Sequence, residues 1–532
     1  MKLISFDTED DGQGNCFLCT FCIIHNDNSV EYKVFHGRDW QAKCLHWLCE
    51  LPNCYIYATN LEYDITNIFG LSTNLVTRFY NSSKLLYATY EGIEFRDTLW
   101  LSNPPISVKT MGEQMGIKKM EMPKQPFNKS KNDWIEYNKQ DALITALWTL
   151  REIQKFGEIG IELKRTLPAT ALKAFMNKYE DNIMTPNRLT KTGLTYRDYI
   201  RKSYGGGRTE IFRTGVIDGN VHCADVNSMY PSVMLNNEYP NPAYAEFIVN
   251  KKQSPLHKEY MGVFHATVTV PKVFNPSLYF RHKSKTIFPT GILRGYWTGA
   301  DLLYAESLGY EIIIHDAIIY TKSVKPFKEF VDYFYSLKVK GNKQAKYILN
   351  SLYGKFGESG ELKIIGPDGE KTEHYTSQHS NVIWSAYVTS YARIQLHKFM
   401  SKVEDNNLLY CDTDSIFYRG KKVFDNSDML GVMSHKGTET GFQAILPKLY
   451  RWGNNYHAKG VPQRDAMEFF LSGRTSYNKP LRFRESVRRG RGSGNNWINA
   501  EKKLQSSYDK REVIDKFGST KPIHFVSETV SE

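Results

Sequence analysis

Apolar runs long enough to cross a bilayer are missing. No stretch of the 532 residues approaches the roughly 20 that a spanning helix needs. The first ten residues, MKLISFDTED, hold an apolar run too short for a signal peptide and turn acidic at once. Cysteine is sparse after residue 54, since six of the eight (Cys16, Cys19, Cys22, Cys44, Cys49, Cys54) fall within the first 54 residues. The Cys16-x-x-Cys19-x-x-Cys22 spacing invites a metal reading. The surrounding CFLCTFCII, however, reads as a buried strand, on which residues three apart point to opposite faces and cannot close on one ion. Core thiols of a reducing compartment are expected instead. Acid is outnumbered, 57 Asp and Glu against 69 Lys and Arg, a net charge of +12 that suggests a polyanionic partner. With 41% hydrophobic and 14% aromatic residues, disorder is excluded as the default. The expectation is a soluble intracellular protein of two or more domains, in the cytoplasm of a host cell, with no membrane partner.

What is present centres on Leu408 to Phe417, LLYCDTDSIF. Apolar arms flank Asp412-Thr413-Asp414, so a tight strand-turn-strand is expected to crowd two carboxylates into one small volume. Such crowding costs free energy unless a cation sits between them. Carboxylate oxygens favour Mg²⁺ or Mn²⁺, hard ions that most often handle phosphates. Taken alone the pattern also fits a solvated acidic turn. Three further elements weigh against that. Leu3 to Phe6 reads as a strand whose end projects Asp7 and Glu9 from one face. Cys54 to Ala58 reads as a second strand, followed at a helix mouth by Asn60, Tyr63 and Asp64. Trp134 to Arg151 reads as a helix that stacks Tyr137 and Asp141, four apart, on one side.

This ordered set, Asp-x-Glu, Asn-x-x-x-Asp and Tyr-x-x-x-Asp, resembles the three exonuclease motifs of the DEDD proofreading fold in its tyrosine subtype. The resemblance implies that Asp7, Glu9, Asp64 and Asp141 hold two Mg²⁺ ions for phosphodiester hydrolysis, that Tyr137 orients the attacking water, and that Asn60 and Tyr63 hold a frayed 3′ end. Asp10 stands where many relatives carry a small hydroxyl residue. A lysine usually assists this site, and Lys118, Lys119 and Lys124 are all candidates.

Tyr204-Gly205-Gly206-Gly207-Arg208 allows close backbone approach to a phosphate chain, with Arg208 supplying charge; a flexible hinge is the alternative. By position it is similar to the tyrosine-glycine-glycine motif of family B DNA polymerases, with Tyr204, Gly206 and Gly207 on the DNA. Val221 to Met234 resembles motif A of that family, with Asp225 and the Val226 backbone as metal ligands and Tyr230 beneath the sugar. Lys346, Asn350 and Tyr353 share one helical face in a run very close to motif B, where they would bind the incoming nucleotide. Tyr410 to Ser415 resembles motif C. Asp225 and Asp414, helped by Asp412, would then hold two Mg²⁺ (or Mn²⁺) ions about 3.5 to 4 Å apart. Lys448-Leu449-Tyr450 is similar to the lysine-x-tyrosine motif on the primer terminus, and the basic run Arg474 to Arg491 to a thumb on the duplex backbone.

The motif order is that of the protein-primed, phi-29-like branch of family B. That implies α/β and α+β architecture: an RNase H-like 3′–5′ exonuclease domain over 1–160, a linker over 161–205 and a right-hand polymerase domain over 206–490. Within the hand, the palm is expected at 206–279 and 376–465, a terminal-protein insertion at 280–338, fingers at 339–357, a hairpin insertion at 358–375 and the thumb at 466–490. The tail 491–532, of Gly-rich and charged composition, has no assigned role and is expected to be partly disordered. The implied partners are template and primer DNA, dNTPs and a terminal protein as primer, acting on a monomer in strand-displacing replication of a small linear genome. Two alternatives stay open: a polymerase primed by nucleic acid or by nothing, and a nuclease whose C-terminal half only binds nucleic acid.

Overall fold

The computed structural model describes residues 3–69, 74–81, 84–102, 104–179, 184, 186, 188–376, 380–488, 497–504 and 508–531. A nine-stranded sheet leads. Its spatial order is Gly369–Thr376, Ser359–Gly366, Val76–Tyr80, Lys84–Tyr90, Ile93–Asp97, Tyr55–Ala58, Leu3–Asp10, Cys16–Ile24, Val30–His36. Leu3–Asp10 lies parallel to Tyr55–Ala58, and that strand parallel to Ile93–Asp97; the other neighbours are antiparallel. Both faces of the central strands are covered, which is why they read as near-continuous apolar runs. On one face the helix Lys131–Glu158 lays Ala142, Ile144, Ala146 and Trp148 over Leu3, Cys22 and Ile24. On the other, Trp40–Glu50 and Leu61–Ile68 bury Cys44, Leu48, Leu61 and Ile65. All eight cysteines are free.

A seven-stranded antiparallel sheet follows in the order Asn455–Ala458, Leu449–Trp452, Met433–Leu446, Ile217–Val226, Ser415–Arg419, Leu408–Asp412, Thr209–Ile211. The long helix Val382–Met400 and the helix Met229–Asn236 contribute to the core behind it. A five-stranded sheet has the order Ala245–Val249, Glu311–Tyr320, Met261–Val270, Thr290–Thr298, His524–Val530.

Several expected boundaries need correction, while the hairpin forms at its expected place. The stretch expected as a linker carries two capped helices, Leu167–Met176 and Tyr196–Lys202. Phe175 is fully buried among Phe327, Phe330, Phe356 and Trp384, with ring centroids 5.3 to 6.2 Å away, a packing no flexible connector has. The expected boundary at 280 cuts through a sheet, because Met261–Val270 hydrogen-bonds along its length to both Thr290–Thr298 and Glu311–Tyr320.

The hairpin forms with Pro367-Asp368 as its two-residue turn. It leans, however, on neither the second sheet nor solvent alone. Ser359–Gly366 pairs with Val76–Tyr80 of the first sheet, Leu362 opposite Tyr80 and Ile365 opposite Thr77, and so satisfies an edge that would otherwise be open.

The tail is folded wherever it is described. Trp497–Lys503 pairs with Arg474–Pro480, so the hairpin assigned to the thumb crosses the expected boundary at 490. His524–Val530 completes the five-stranded sheet, running parallel to Thr290–Thr298. Arg511 is fully buried and donates to Glu210 Oε1 at 3.1 Å, to Thr520 Oγ1 at 2.8 Å and to the Phe274 carbonyl at 2.9 Å. Arg208 donates to Glu210 Oε2 from Nε at 2.8 Å and Nη2 at 2.5 Å, which removes it from the phosphate-binding role its sequence neighbours suggested. Burial pushes the Glu210 carboxyl up, but the two guanidiniums outweigh it and hold it below the ordinary glutamate value. Of the seven basic residues expected in the thumb, Arg489 and Arg491 lie outside the described residues.

Candidate active sites

Asp7 and Glu9 share one side of Leu3–Asp10 because strand side chains alternate. The helix Lys131–Glu158 brings Asp141 over them, and one carboxylate oxygen from each of the three lies within 4.8 Å of the others. Asp64, one turn into Leu61–Ile68, stands beside this group but accepts from Thr8 at the backbone (3.0 Å) and hydroxyl (2.7 Å). Burial raises all four, and repulsion by neighbouring acids adds to it at Asp7, Glu9 and Asp64. Asp7 and Asp64 lie well above the usual carboxylate range, Glu9 is pushed up to about 8, and Asp141 is raised against the pull of Lys119. Asp64 Oδ2 and Asp141 Oδ1 are buried without a hydrogen-bond partner. Hard oxygen donors, crowding and unpaired lone pairs fit a divalent cation.

Of the three candidate lysines, Lys119 is the one that reaches the site. It donates to Asp141 Oδ2 and lies 4.6 Å from the Tyr137 ring centroid. Asn60 takes a left-handed backbone, φ 72°, and its N–H and that of Leu61 donate to Asp97 at 3.2 and 3.1 Å. Asp97 went unnoticed in the sequence, as did Asn138, which donates to Asp7 Oδ2 at 2.7 Å. Burial holds Asp97 up at about 6. Asp10 is saturated: it accepts from Gly12 N at 2.7 Å, from the Tyr63 hydroxyl and from Trp497 Nε1 at 3.3 Å.

At the second site Asp225, near the end of Ile217–Val226, faces Ser415 across the ladder, and Val226 N donates to the Asp414 carbonyl at 2.8 Å. Thr413 adopts φ 64° to make the turn, which leaves Cys411 in the core and Asp414 beside Asp225. Burial, then Asp225 and Asp412, push Asp414 up to about 6; burial also raises Asp225, opposed by Lys436. The pair fits a hard cation as the first site does. Asp412 is differently engaged: it receives Lys448 Nζ at 2.7 Å on both oxygens and the Tyr410 hydroxyl at 3.1 Å. It therefore positions Lys448 while lying close enough to Asp414 to repel it. Gly207 is packed so closely that a Cβ would meet the Thr413 side chain at 3.0 Å, while Arg393 clamps the Gly205 and Gly206 carbonyls at 3.0 and 3.1 Å. Tyr204 is half-buried beside Gly357.

Lys346 and Asn350 project to solvent from Lys343–Ser351, while Ala345, Ile348 and Leu349 fill the core. Leu352, at φ −73° and ψ −53°, joins this helix to the short helix Tyr353–Phe356, and Tyr353 lies flat against Tyr230, centroids 3.9 Å apart at 23°. Lys338 was not singled out by sequence. It donates to Ser228 Oγ at 2.7 Å, and burial, then Lys346 and Lys436, hold it below the ordinary lysine value. Tyr450 stacks on His457 with centroids 4.6 Å apart, behind Lys448.

Residues 99–428 match the family of DNA polymerase type B, organellar and viral. The chain belongs to that family. A probable DNA polymerase of Ascobolus immersus is 24% identical over 61% of this chain and 30% of its own length, so the chain spans about a third of that relative. The DNA-directed DNA polymerase of Enterobacteria phage PRD1 is 26% identical over 80% of this chain and 78% of its own. Phi29 DNA polymerase complexed with primer-template DNA and incoming nucleotide substrates superposes with a TM-score of 0.72, 17% identity, 94% coverage of this chain and 100% of that one. The fold is thus the phi29-like one, an RNase H-like exonuclease domain followed by a right-hand polymerase domain. Among the described residues no helix is long and apolar enough to cross a membrane.

Proposed function

We propose that this chain is a DNA-directed DNA polymerase with its own 3′–5′ proofreading exonuclease, that it starts from a terminal protein and displaces the strand ahead of it, and that it works as a monomer in the cytoplasm of a host cell. The observation that carries the reading is the pair of carboxylate groups on two different sheets of one chain, one beside a tyrosine and a lysine, the other beside stacked tyrosines and two lysines, Lys436 and Lys448. Divalent ions, Mg²⁺ or Mn²⁺ and two per site, would be held by Asp7, Glu9, Asp64 and Asp141 and by Asp225, Val226 and Asp414, and would supply charge neutralisation and activation of the attacking oxygen.

The chain's own groups do the rest. Tyr137, held beside Lys119, orients the attacking water, and Asn60 and Tyr63 receive the unpaired 3′ end. Lys338 and Lys346 receive the triphosphate, with Asn350 on the same face as Lys346. Lys448, fixed by Asp412, and Tyr450 hold the primer terminus, and the glycine run at 205–207 passes the strand between sites. Purified protein incubated with Mg²⁺ and labelled dNTPs tests the reading, with a primed template or with a candidate terminal protein. No incorporation under any condition, with intact nuclease activity, would leave only the nuclease alternative.

Tyr230, supported face to face by Tyr353, occupies the space a ribose 2′-OH would need. Tyr230→Val should raise ribonucleotide incorporation far more than it lowers deoxynucleotide use in single-turnover extension assays; unchanged discrimination would place the gate elsewhere.

Strand displacement draws on the hairpin. It is fused to the first sheet through Val76–Tyr80 and tied by Glu370 to Arg484, 2.5 Å away on the helix Phe483–Arg488. Phe483 itself packs into the first sheet's core, with its N–H on Glu62 at 3.0 Å. Replacing Glu361 to Tyr375 with a short Gly/Ser linker should spare single-nucleotide addition while long products on a primed circle collapse. Because the same change uncovers an edge strand, Glu370→Lys is the cleaner companion. Full-length copying by both variants at every salt concentration would make the hairpin merely structural.

A further inference from the structure

Lys436 belongs to none of the polymerase motifs. It sits on Met433–Leu446, whose ladder with Ile217–Val226 slips by one residue between His435, opposite Ala224, and Gly437, opposite Cys223. Lys436 is therefore the extra residue of a β-bulge, a device that re-aims a side chain and is common next to active sites. Its ammonium lies 2.9 Å from Asn227 Oδ1 and 4.0 Å from Asp225 Oδ1. Lys338 reaches Ser228 Oγ in the same turn. The two lysines thus both reach the turn 226–228 that opens the helix Met229–Asn236. No side chain caps that helix, and Ser228 enters it at φ 53°. Lys346 and Lys436 are both close enough to repel Lys338. Two ammonium groups at an uncapped helix start form a receptor for a multiply charged anion, the counterpart of carboxylates gathered for a cation.

We propose that Lys436 is a nucleotide-positioning residue that, together with Lys338, binds the outer phosphates of the incoming triphosphate. This rests on the polymerase reading above, and the experiment separates the two. Calorimetric titration of the full chain with inorganic tripolyphosphate in EDTA reads the phosphate site without metal, DNA or turnover. Lys436→Gln should weaken that binding about tenfold, the order expected for one charge-assisted hydrogen bond, and Lys436→Arg should restore most of it. Lys338→Gln should act in the same direction, which keeps the test alive if one variant folds poorly. In primer extension Lys436→Gln should raise the dNTP KM by a similar factor with little change in kcat.

Unchanged tripolyphosphate affinity in Lys436→Gln, or a loss confined to kcat, would mean that Lys436 merely braces Asn227 and Asp225, and would overturn the proposal. No binding by the parent protein would overturn it too. Lysine-dependent binding by a parent that extends no primer would uphold the phosphate site and sink the polymerase reading instead.

Discussion

Asp414→Asn should give a protein that degrades single-stranded DNA from its 3′ end at close to the parental rate and extends a primer at least 10²–10³-fold more slowly, the order seen when one charge stabiliser is removed from a preorganised site. Asp414 lies beside Asp225 on the seven-stranded sheet and is held up at about 6 by burial and its two acidic neighbours. The amide keeps the shape of the side chain but removes the charge that attracts a cation. Asp7→Ala combined with Glu9→Ala should do the reverse, because these residues belong to the nine-stranded sheet and to a separate carboxylate group. The readouts are extension and single-strand degradation on one labelled oligonucleotide, with circular dichroism as the check on folding. Loss of both activities in both well-folded proteins would contradict the assignment of two sites.

Arg511→Met should destabilise the fold by about 3–5 kcal/mol, the cost of stripping one partner from a buried ion pair. Arg511 stacks over Phe212 and Phe274, each 4.8 Å from its guanidinium carbon, and shares Glu210 with Arg208. Glu210 lies on Thr209–Ile211, the strand that pairs with Leu408–Asp412, and Thr209 Oγ1 itself donates to Asp412 at 3.3 Å. The loss should therefore appear in urea denaturation and also as a lower inactivation temperature for extension. Arg511→Lys keeps the charge without the planar fork and should fall between the two. A shift below about 1 kcal/mol in Arg511→Met would mean the C-terminal segment is an appendage after all.

The carboxylates were legible because short-range geometry places them. Alternation on a strand puts Asp7 with Glu9, and a helical turn puts Tyr137 above Asp141, whatever the rest of the chain does. The helical face of Lys346 and Asn350 followed from the same periodicity. Asp412 was legible as an acid in a tight turn but not as the partner of Lys448, since that depends on a strand 36 residues later folding back over it. The three candidate lysines near the first site were equivalent in sequence; only the path of the chain brings Lys119 to Asp141.

Local spacing thus determined the chemical inventory of this protein: which side chains share a face, which segments are strand or helix, and which carry crowded charge. Tertiary structure alone decided which edge the hairpin joins, that the last 42 residues contain a buried arginine and the closing strand of a sheet, and that a one-residue bulge turns Lys436 toward Asp225. The physical reason is range. Covalent geometry and helical or strand period act over a few residues, whereas edge pairing, ion pairing at low exposure and bulge direction are settled by partners hundreds of residues away, which the sequence does not name.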